Sequence, residues 1–182
     1  MTRYVIGDYI TGDELRELRK LLGFSQKELS VFLRCSVRTV ETWETSAGKI
    51  TGPVVTLVEI LLRHPDLATR LSLPVQTGGL RIWYYHRSLV CTVIDVDEPR
   101  RTVTIHNYID DPLYRAFGRN TEPSYEEYEE FLESRCFPRS RDKMKLQLRE
   151  LDLPFYDPLM IIEKTEGRMA GDDFWLRVER LS

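Results

Sequence analysis

The sequence predicts an all-α N-terminal unit of five helices, over residues 1–72, followed by an α+β unit over residues 81–182. Three observations carry that expectation. Up to residue 72, apolar side chains recur at helical spacing behind cap residues. The stretch Leu73 to Leu80, LPVQTGGL, breaks the pattern with one Pro and two Gly and reads as a linker, 73–80. Beyond it, RIWYYHRSLVCTVIDVD and RTVTIHNYI are rich in β-branched and aromatic residues, as strands are.

In order, Asp13 is the expected N-cap of the first helix, whose Leu15, Leu18 and Leu22 share a face and which Gly23 ends. Ser25 caps the second helix, with Glu28 three residues on to complete a capping box. Its apolar face is Leu29, Phe32 and Leu33. Ser36 caps the third, whose inward residues are expected to be Val37, Val40 and Trp43. Pro53 suits the first position of a fourth helix, with Val54, Leu57, Val58, Leu61 and Leu62 as its buried face, stopping before Pro65. A short fifth helix spans Asp66 to Leu71.

In the C-terminal part, Glu98-Pro99-Arg100 marks a hairpin turn between two strands. Ser124 to Arg135 is an acidic helix with Tyr125, Tyr128, Phe131 and Leu132 on one side. A second helix is expected from about Arg139 to Leu151, with Pro138 at its start. One apolar stretch and a last strand, Phe174 to Val178, close the chain.

The bulk composition excludes several classes. With 42% hydrophobic and 10% aromatic residues the chain is not a disordered one. No apolar run approaches the roughly 20 residues of a membrane span. The start, MTRYVIGDYITGDELR, has no secretory core, so a cytoplasmic protein is expected. Cys35, Cys91 and Cys136 are widely spaced, and His64, His86 and His106 lack HxxxH spacing. No metal, cofactor or disulfide framework is therefore expected. Asp95, Asp97, Glu98 and His106 gather near the hairpin, but no catalytic constellation stands out and the chain is not expected to be an enzyme. The net charge is −3, yet residues 1–72 carry 10 Lys/Arg against 9 Asp/Glu. A local basic surface decides nucleic-acid binding more than the total does.

The run LRKLLGFSQKELSVFLRCSVRTVETWE, with SQxxL, a short turn, then S-V-R-T-V-x-x-W-E, resembles the Xre/Cro-type helix-turn-helix family. More narrowly, the segment ending VEILLRHPDLATRL is similar to the DNA-binding part of MqsA-type antitoxins. The resemblance implies an N-terminal all-α, five-helix Xre/Cro helix-turn-helix domain in front of a C-terminal α+β domain. It also implies that the third helix lies in the major groove with its N-terminal residues at base edges. Arg38 and Thr42 fall where the family's base-reading side chains sit. Arginine contacts guanine O6 and N7 bidentately, and threonine offers a hydroxyl or a methyl. Ser36 and Thr39 lie at the same helix start. Gln26, at the N-terminus of the second helix, is placed for a phosphate or an adjacent base, and Lys27 and Lys49 for phosphates. Arg34 occupies the turn position where members usually have Gly, a left-handed site. Glu44 is expected to brace the helix ends.

Later in the chain, S-R-x-x-P-x-x-R at Ser134, Arg135, Pro138 and Arg141, with the closing DDFWLRV, is similar to a module in small bacterial proteins linked to HipA-like kinases. In plain structural terms these arginines are expected to pair with the acidic helix at 126–130. The function expected is a transcriptional regulator, a repressor binding double-stranded DNA as a homodimer through a pseudo-palindrome, with residues 81–182 for oligomerisation. The alternative is an autoregulating antitoxin or inhibitor whose C-terminal domain neutralises a protein partner.

Overall fold

Residues 4–140 and 144–181 are described by a computed structural model, and the chain divides into two units, Met1–Ser72 and Leu73–Ser182. Along the first run β1 (Ile10–Thr11), α1 (Gly12–Leu21), α2 (Gln26–Phe32), α3 (Val37–Thr45), β2 (Lys49–Ile50), α4 (Pro53–Arg63) and α5 (Asp66–Arg70).

Caps fix the helix starts. The cap of α1 is Thr11 and not Asp13. The Thr11 hydroxyl accepts from the Glu14 amide, and the Glu14 carboxylate accepts from the Thr11 amide. Thr11-Gly-Asp-Glu14 has the same capping-box spacing as Ser25 to Glu28, and Asp13 instead pairs with Arg16 at 2.7 Å. Ser25 and Ser36 cap α2 and α3, and Pro53 opens α4.

The all-helical expectation needs one correction. Ile10 and Thr11 pair antiparallel with Ile50 and Lys49, a two-residue ladder that joins the arm before α1 to the loop after α3. Ile10 and Ile50 are both buried, so the ladder seals one end of the core. That core is Leu15, Leu18, Leu29, Val40, Val58 and Leu61. Helix α4 buries Val55, Val58 and Leu61, while Leu57 and Leu62, expected inside, stay exposed. Its contact stripe is rotated toward Val55. Gly12 allows α1 to start against α3, because a Cβ there would collide with the Trp43 carbonyl.

The second unit comprises β3 (Leu80–His86), β4 (Leu89–Asp97), β5 (Thr102–Asn107), a 3-10 turn (Pro112–Tyr114), α6 (Tyr125–Ser134), α7 (Met144–Glu150), α8 (Pro158–Thr165) and β6 (Phe174–Arg180). The four strands form one antiparallel sheet in the order β5-β4-β3-β6. Alternation along β3 sends Leu80, Ile82 and Tyr84 to one face, together with Ile94, Val96 and Leu176. Tyr128, Phe131 and Leu132 of α6 and Ile161 and Ile162 of α8 belong to the same core. The opposite face carries Trp83, Tyr85, Trp175 and Arg177. Tyr85 stacks on Trp175 with centroids 4.1 Å apart, and Arg177 lies 4.7 Å over Trp83.

Three expectations are corrected here, and one stretch left without an assignment finds its element. Residues 74–78 are not a free linker. The Pro74 carbonyl accepts from Arg81 (2.9 Å), the Thr77 amide donates to Asp95 (3.3 Å), and Gly78 packs so closely on Val96 that a side chain would not fit. Leu80 already belongs to β3. The apolar stretch around Leu159–Ile162 is helix α8, with Asp157 as cap and Pro158 in its first turn. The helix expected from Arg139 runs Met144–Glu150; Arg139 itself lies in a turn, and residues 141–143, Arg141 among them, fall outside the described residues. Lastly, Arg135 does not pair with the helix at 126–130. It grips Asp172 with both Nη atoms (2.6 and 3.1 Å) and also donates to the carbonyls of Gly167 and Phe174. The S-R run and the D-D-F-W run therefore meet in space. Arg139 pairs with Glu133.

The three cysteines are free thiols; Cys91 and Cys136 are buried, and burial pushes the Cys136 thiol up to about 12. Among the described residues no helix is long and apolar enough to cross a membrane.

Candidate nucleic-acid interface

The segment from α2 to α3 is held by local chemistry at its turn and by one buried carboxylate at its far end. At the turn, Leu33 closes α2, Arg34 takes φ 56°, and the Cys35 amide donates to the Ser30 carbonyl (3.0 Å). This is the left-handed conformation that an L side chain adopts at a cost of about 1–2 kcal/mol. Arg34→Gly is expected to stabilise the first unit by about 1 kcal/mol. A chemical melt of both chains checks it, and an unchanged or lower midpoint would contradict it.

At the far end, Glu44 is 5% exposed in the middle of a cationic and amide shell. Its Oε1 accepts from Arg19 Nε (2.6 Å). Its Oε2 accepts from Arg19 Nη2 (3.0 Å) and from Gln26 Nε2 (3.0 Å). Arg16 donates to the Glu44 carbonyl and its guanidinium lies 3.9 Å from Oε2. Burial opposes ionisation of this carboxyl, but the hydrogen bonds from Arg19 and Gln26 and the charges of Arg19 and Arg16 outweigh it. The Glu44 pKa lies below the ordinary glutamate value. One side chain thus fixes the end of α3 to α1 and to the first residue of α2. Because α1, α2 and α3 share this anchor, the outer face of α3 is presented rigidly.

Each residue singled out from the sequence has a definite place. Arg38 and Thr42 lie one turn apart on the exposed side of α3, and the Thr42 hydroxyl donates back to the Arg38 carbonyl (2.7 Å). The Thr42 methyl and the acceptor side of its hydroxyl remain on offer one turn along from Arg38. Ser36 caps α3 by accepting from the Thr39 amide, and its hydroxyl is 2.8 Å from the Thr39 hydroxyl. Both hydroxyls are therefore engaged in starting the helix, and Thr39 is half-buried instead of fully outside. Gln26 has its amide nitrogen on Glu44, leaving its oxygen and second N–H for other partners. Lys27 is exposed on α2, and Lys49 sits 3.9 Å over the Tyr9 ring.

Val37 is a correction. It is 36% exposed at the first position of α3, whereas Val40 is fully buried and Trp43 half-buried. Val37 opens the helix and does not join the first unit's core cluster. An exposed valine next to Arg38 presents an apolar surface of the kind that meets a thymine methyl. Sequence reasoning did not include it among the site residues; its position directly after the cap was the available signal. Arg19 and Arg16 were also missed, because their role depends on a residue 25 and 28 positions away.

Asp95, one of the acids near the hairpin, is committed elsewhere: it is buried in a two-point pair with Arg81 (2.6 and 2.7 Å).

No known family model matches the chain. Over 63 residues it is 30% identical to the antitoxin HigA-2 of Vibrio cholerae serotype O1. That stretch is 35% of this chain and 61% of the antitoxin, so the chain spans about three fifths of that relative's length. The similarity places part of this chain near an antitoxin.

Proposed function

We propose that this chain is a sequence-specific, double-stranded DNA-binding transcriptional regulator, a repressor, whose first unit is an Xre/Cro-type helix-turn-helix domain. The observation that carries the reading is the exposed Arg38–Thr42 stripe on α3, with the helix anchored from behind by Glu44. In this mode α3 enters the major groove, Arg38 reads a guanine, and Val37 and the Thr42 methyl contact neighbouring base edges. Lys27, Lys49 and the free oxygen and N–H of Gln26 face the backbone region. A single unit of this size reads a half-site, so the regulator acts as a homodimer on a pseudo-palindrome in the cytoplasm, without a cofactor or a catalytic role.

A second reading is supported by the similarity to an antitoxin: the same DNA-binding unit represses its own operon while the second unit neutralises a protein partner. Both readings share the DNA-binding step.

Selection of bound duplexes from a random pool by the full chain tests that step. An enriched inverted repeat with half-sites about one helical turn apart is expected, and failure to enrich any sequence would remove the proposal. On the selected site, Lys27→Ala should weaken all sequences alike and reduce the salt slope by about 1. A loss of preference at one base pair instead would assign Lys27 to the bases.

A further inference from the structure

We propose that the acidic groove beside α6 is the surface through which the second unit takes a partner protein, and that its occupant is an arginine-rich segment lying extended along that helix. The inference rests on the second reading above, in which this unit engages a protein, and it supplies the surface and the chemistry of that engagement.

The groove measures about 610 Å³ and is bounded by α6, the β4–β5 hairpin and the start of α8. Six carboxylates line it: Glu126, Glu129, Glu130 and Glu133 of α6, Glu98 of the hairpin and Asp157 at the cap of α8. Part of that charge is matched inside the chain. Arg101 reaches Glu126 (3.2 Å) and Glu129 (3.3 Å), and Arg139 reaches Glu133 (2.5 Å). With both arginines counted, four negative charges are left over among the described residues. Glu98 and Glu130 make no ion pair or side-chain hydrogen bond there. Tyr128 is a second, independent sign of a ligand. It lines the groove at 2% exposure, and its hydroxyl has no hydrogen-bond partner among the described residues, although that oxygen is not sealed from the surface. A polar atom on a nearly buried ring is costly unless a partner meets it.

The chain itself shows what such a groove holds. Arg101 lies 4.2 Å over the Tyr125 ring while paired with Glu126 and Glu129, and Arg139 lies 4.7 Å over the Tyr156 ring while paired with Glu133. A carboxylate beside a tyrosine face seats a planar guanidinium, and the compact lysine ammonium fits it less well. Glu130 falls between these two seats along α6, in the same groove as Tyr128 and Glu98. The carboxylates are spread out: among the described residues no group is placed to hold a metal ion, so the complementary ligand carries its positive charges at intervals. Glu126 and Glu130, like Glu129 and Glu133, are separated by about 6 Å of helix rise. Alternate residues of an extended segment are roughly 6.6 Å apart. Arginines at every second position therefore meet successive carboxylates, with Glu98 and Glu130 supplying the uncommitted charge.

The experiment follows, by fluorescence anisotropy, the binding of a labelled alternating Arg-Ser peptide to the full chain. A peptide of about eight residues is long enough in extended form to span the groove. The parent should bind it, and should bind the matching Lys-Ser peptide about threefold more weakly. E98Q/E130Q removes the two uncommitted carboxylates and should weaken binding by about fivefold or more. E17Q/E150Q removes the same charge from exposed positions outside the groove and should change binding by less than about twofold. Tyr128→Phe keeps the ring, deletes only the hydroxyl and should cost about threefold. Circular dichroism checks that each variant is folded. A parent that does not bind the peptide, or parent-like binding by E98Q/E130Q or by folded Tyr128→Phe, would overturn the proposal. Equal losses in the two charge variants would overturn it by showing diffuse attraction only. Spermidine that displaces the peptide as well as the unlabelled peptide does would overturn it in favour of a small polyamine. Where Tyr128→Phe does not fold, the two charge variants decide alone. A partner protein held through another face of the second unit removes this groove and keeps the second reading, and duplex selection is unaffected by either outcome.

Discussion

Asp95→Ala is expected to cost the second unit about 3–5 kcal/mol, the range for removing one partner of a buried ion pair. Both side chains are almost wholly inside, Arg81 at 5% and Asp95 at 4% exposure. Arg81 keeps its charge, held by the hydrogen bonds and the field of Asp95, so truncating the acid leaves an uncompensated cation on the sheet. The Thr77 amide loses its acceptor in the same step, which also loosens the 74–78 segment. Against a typical domain stability of about 5–15 kcal/mol the loss is a large fraction. Replacing both partners, Arg81→Met with Asp95→Leu, should cost far less, since no charge is then left buried. Denaturant melts of the three chains measure this. A single variant within about 1 kcal/mol of the parent would show that the pair does not hold the sheet.

The second large effect is at Glu44. Glu44→Gln should destabilise the first unit by about 2–3 kcal/mol at neutral pH, because Arg19 loses its ionic acceptor in a largely desolvated site. Its pH dependence has a definite sign. The folded-state pKa of Glu44 is lowered, so its contribution is fully present above the unfolded value of about 4.3 and is lost as pH falls through the lower folded value. The gap between parent and variant should therefore close on acidification below about pH 4. Hydrogen exchange at amides of residues 12–63, followed from pH 7 downward, isolates this unit. A gap that stays constant would mean that the cost of the variant is steric and not ionic.

How much of this was legible depended on range. Ser25 with Glu28, Ser36, Pro53 and Ser124 announce their helices within four residues of sequence, and each sits where that spacing puts it. The left-handed turn at Arg34 was equally local. Thr11 was readable by the same rule, but Asp13 satisfies the composition of a cap without being at the start of the turn. The ladder of Ile10 with Ile50 was out of reach, because two-residue strands have no period and their partners lie 40 positions apart. The α8 helix was missed since Leu159-Met-Ile-Ile162 is too short a run to distinguish helix from strand. The deciding signal was Asp157-Pro158, a cap followed by a first-turn proline.

At the candidate site, sequence spacing located Arg38 and Thr42 on the outside of α3, since Val40 and Trp43 mark the inner side. It did not reveal that Ser36, Thr39 and Gln26 have part of their hydrogen-bonding capacity occupied within the fold. Those bonds depend on side-chain geometry at the helix start and on the tertiary approach of Glu44 to α2. Arg38 and Lys27 are thereby the residues whose cationic heads remain most clearly available to DNA, and they differ in kind: one is placed on the reading helix, the other on the helix that precedes it.

The most direct measurement is the affinity of Arg38→Ala for the duplex that the parent chain selects, alongside duplexes changed one base pair at a time. If α3 reads bases, the variant should lose about 1–3 kcal/mol per half-site, roughly 5- to 150-fold, and should tolerate substitution at one base pair that the parent rejects. Circular dichroism should show the parent fold, since Arg38 is exposed and its removal leaves the core and the Glu44 anchor in place. If Arg38→Ala binds its selected duplex as tightly and as selectively as the parent, α3 is not the reading helix.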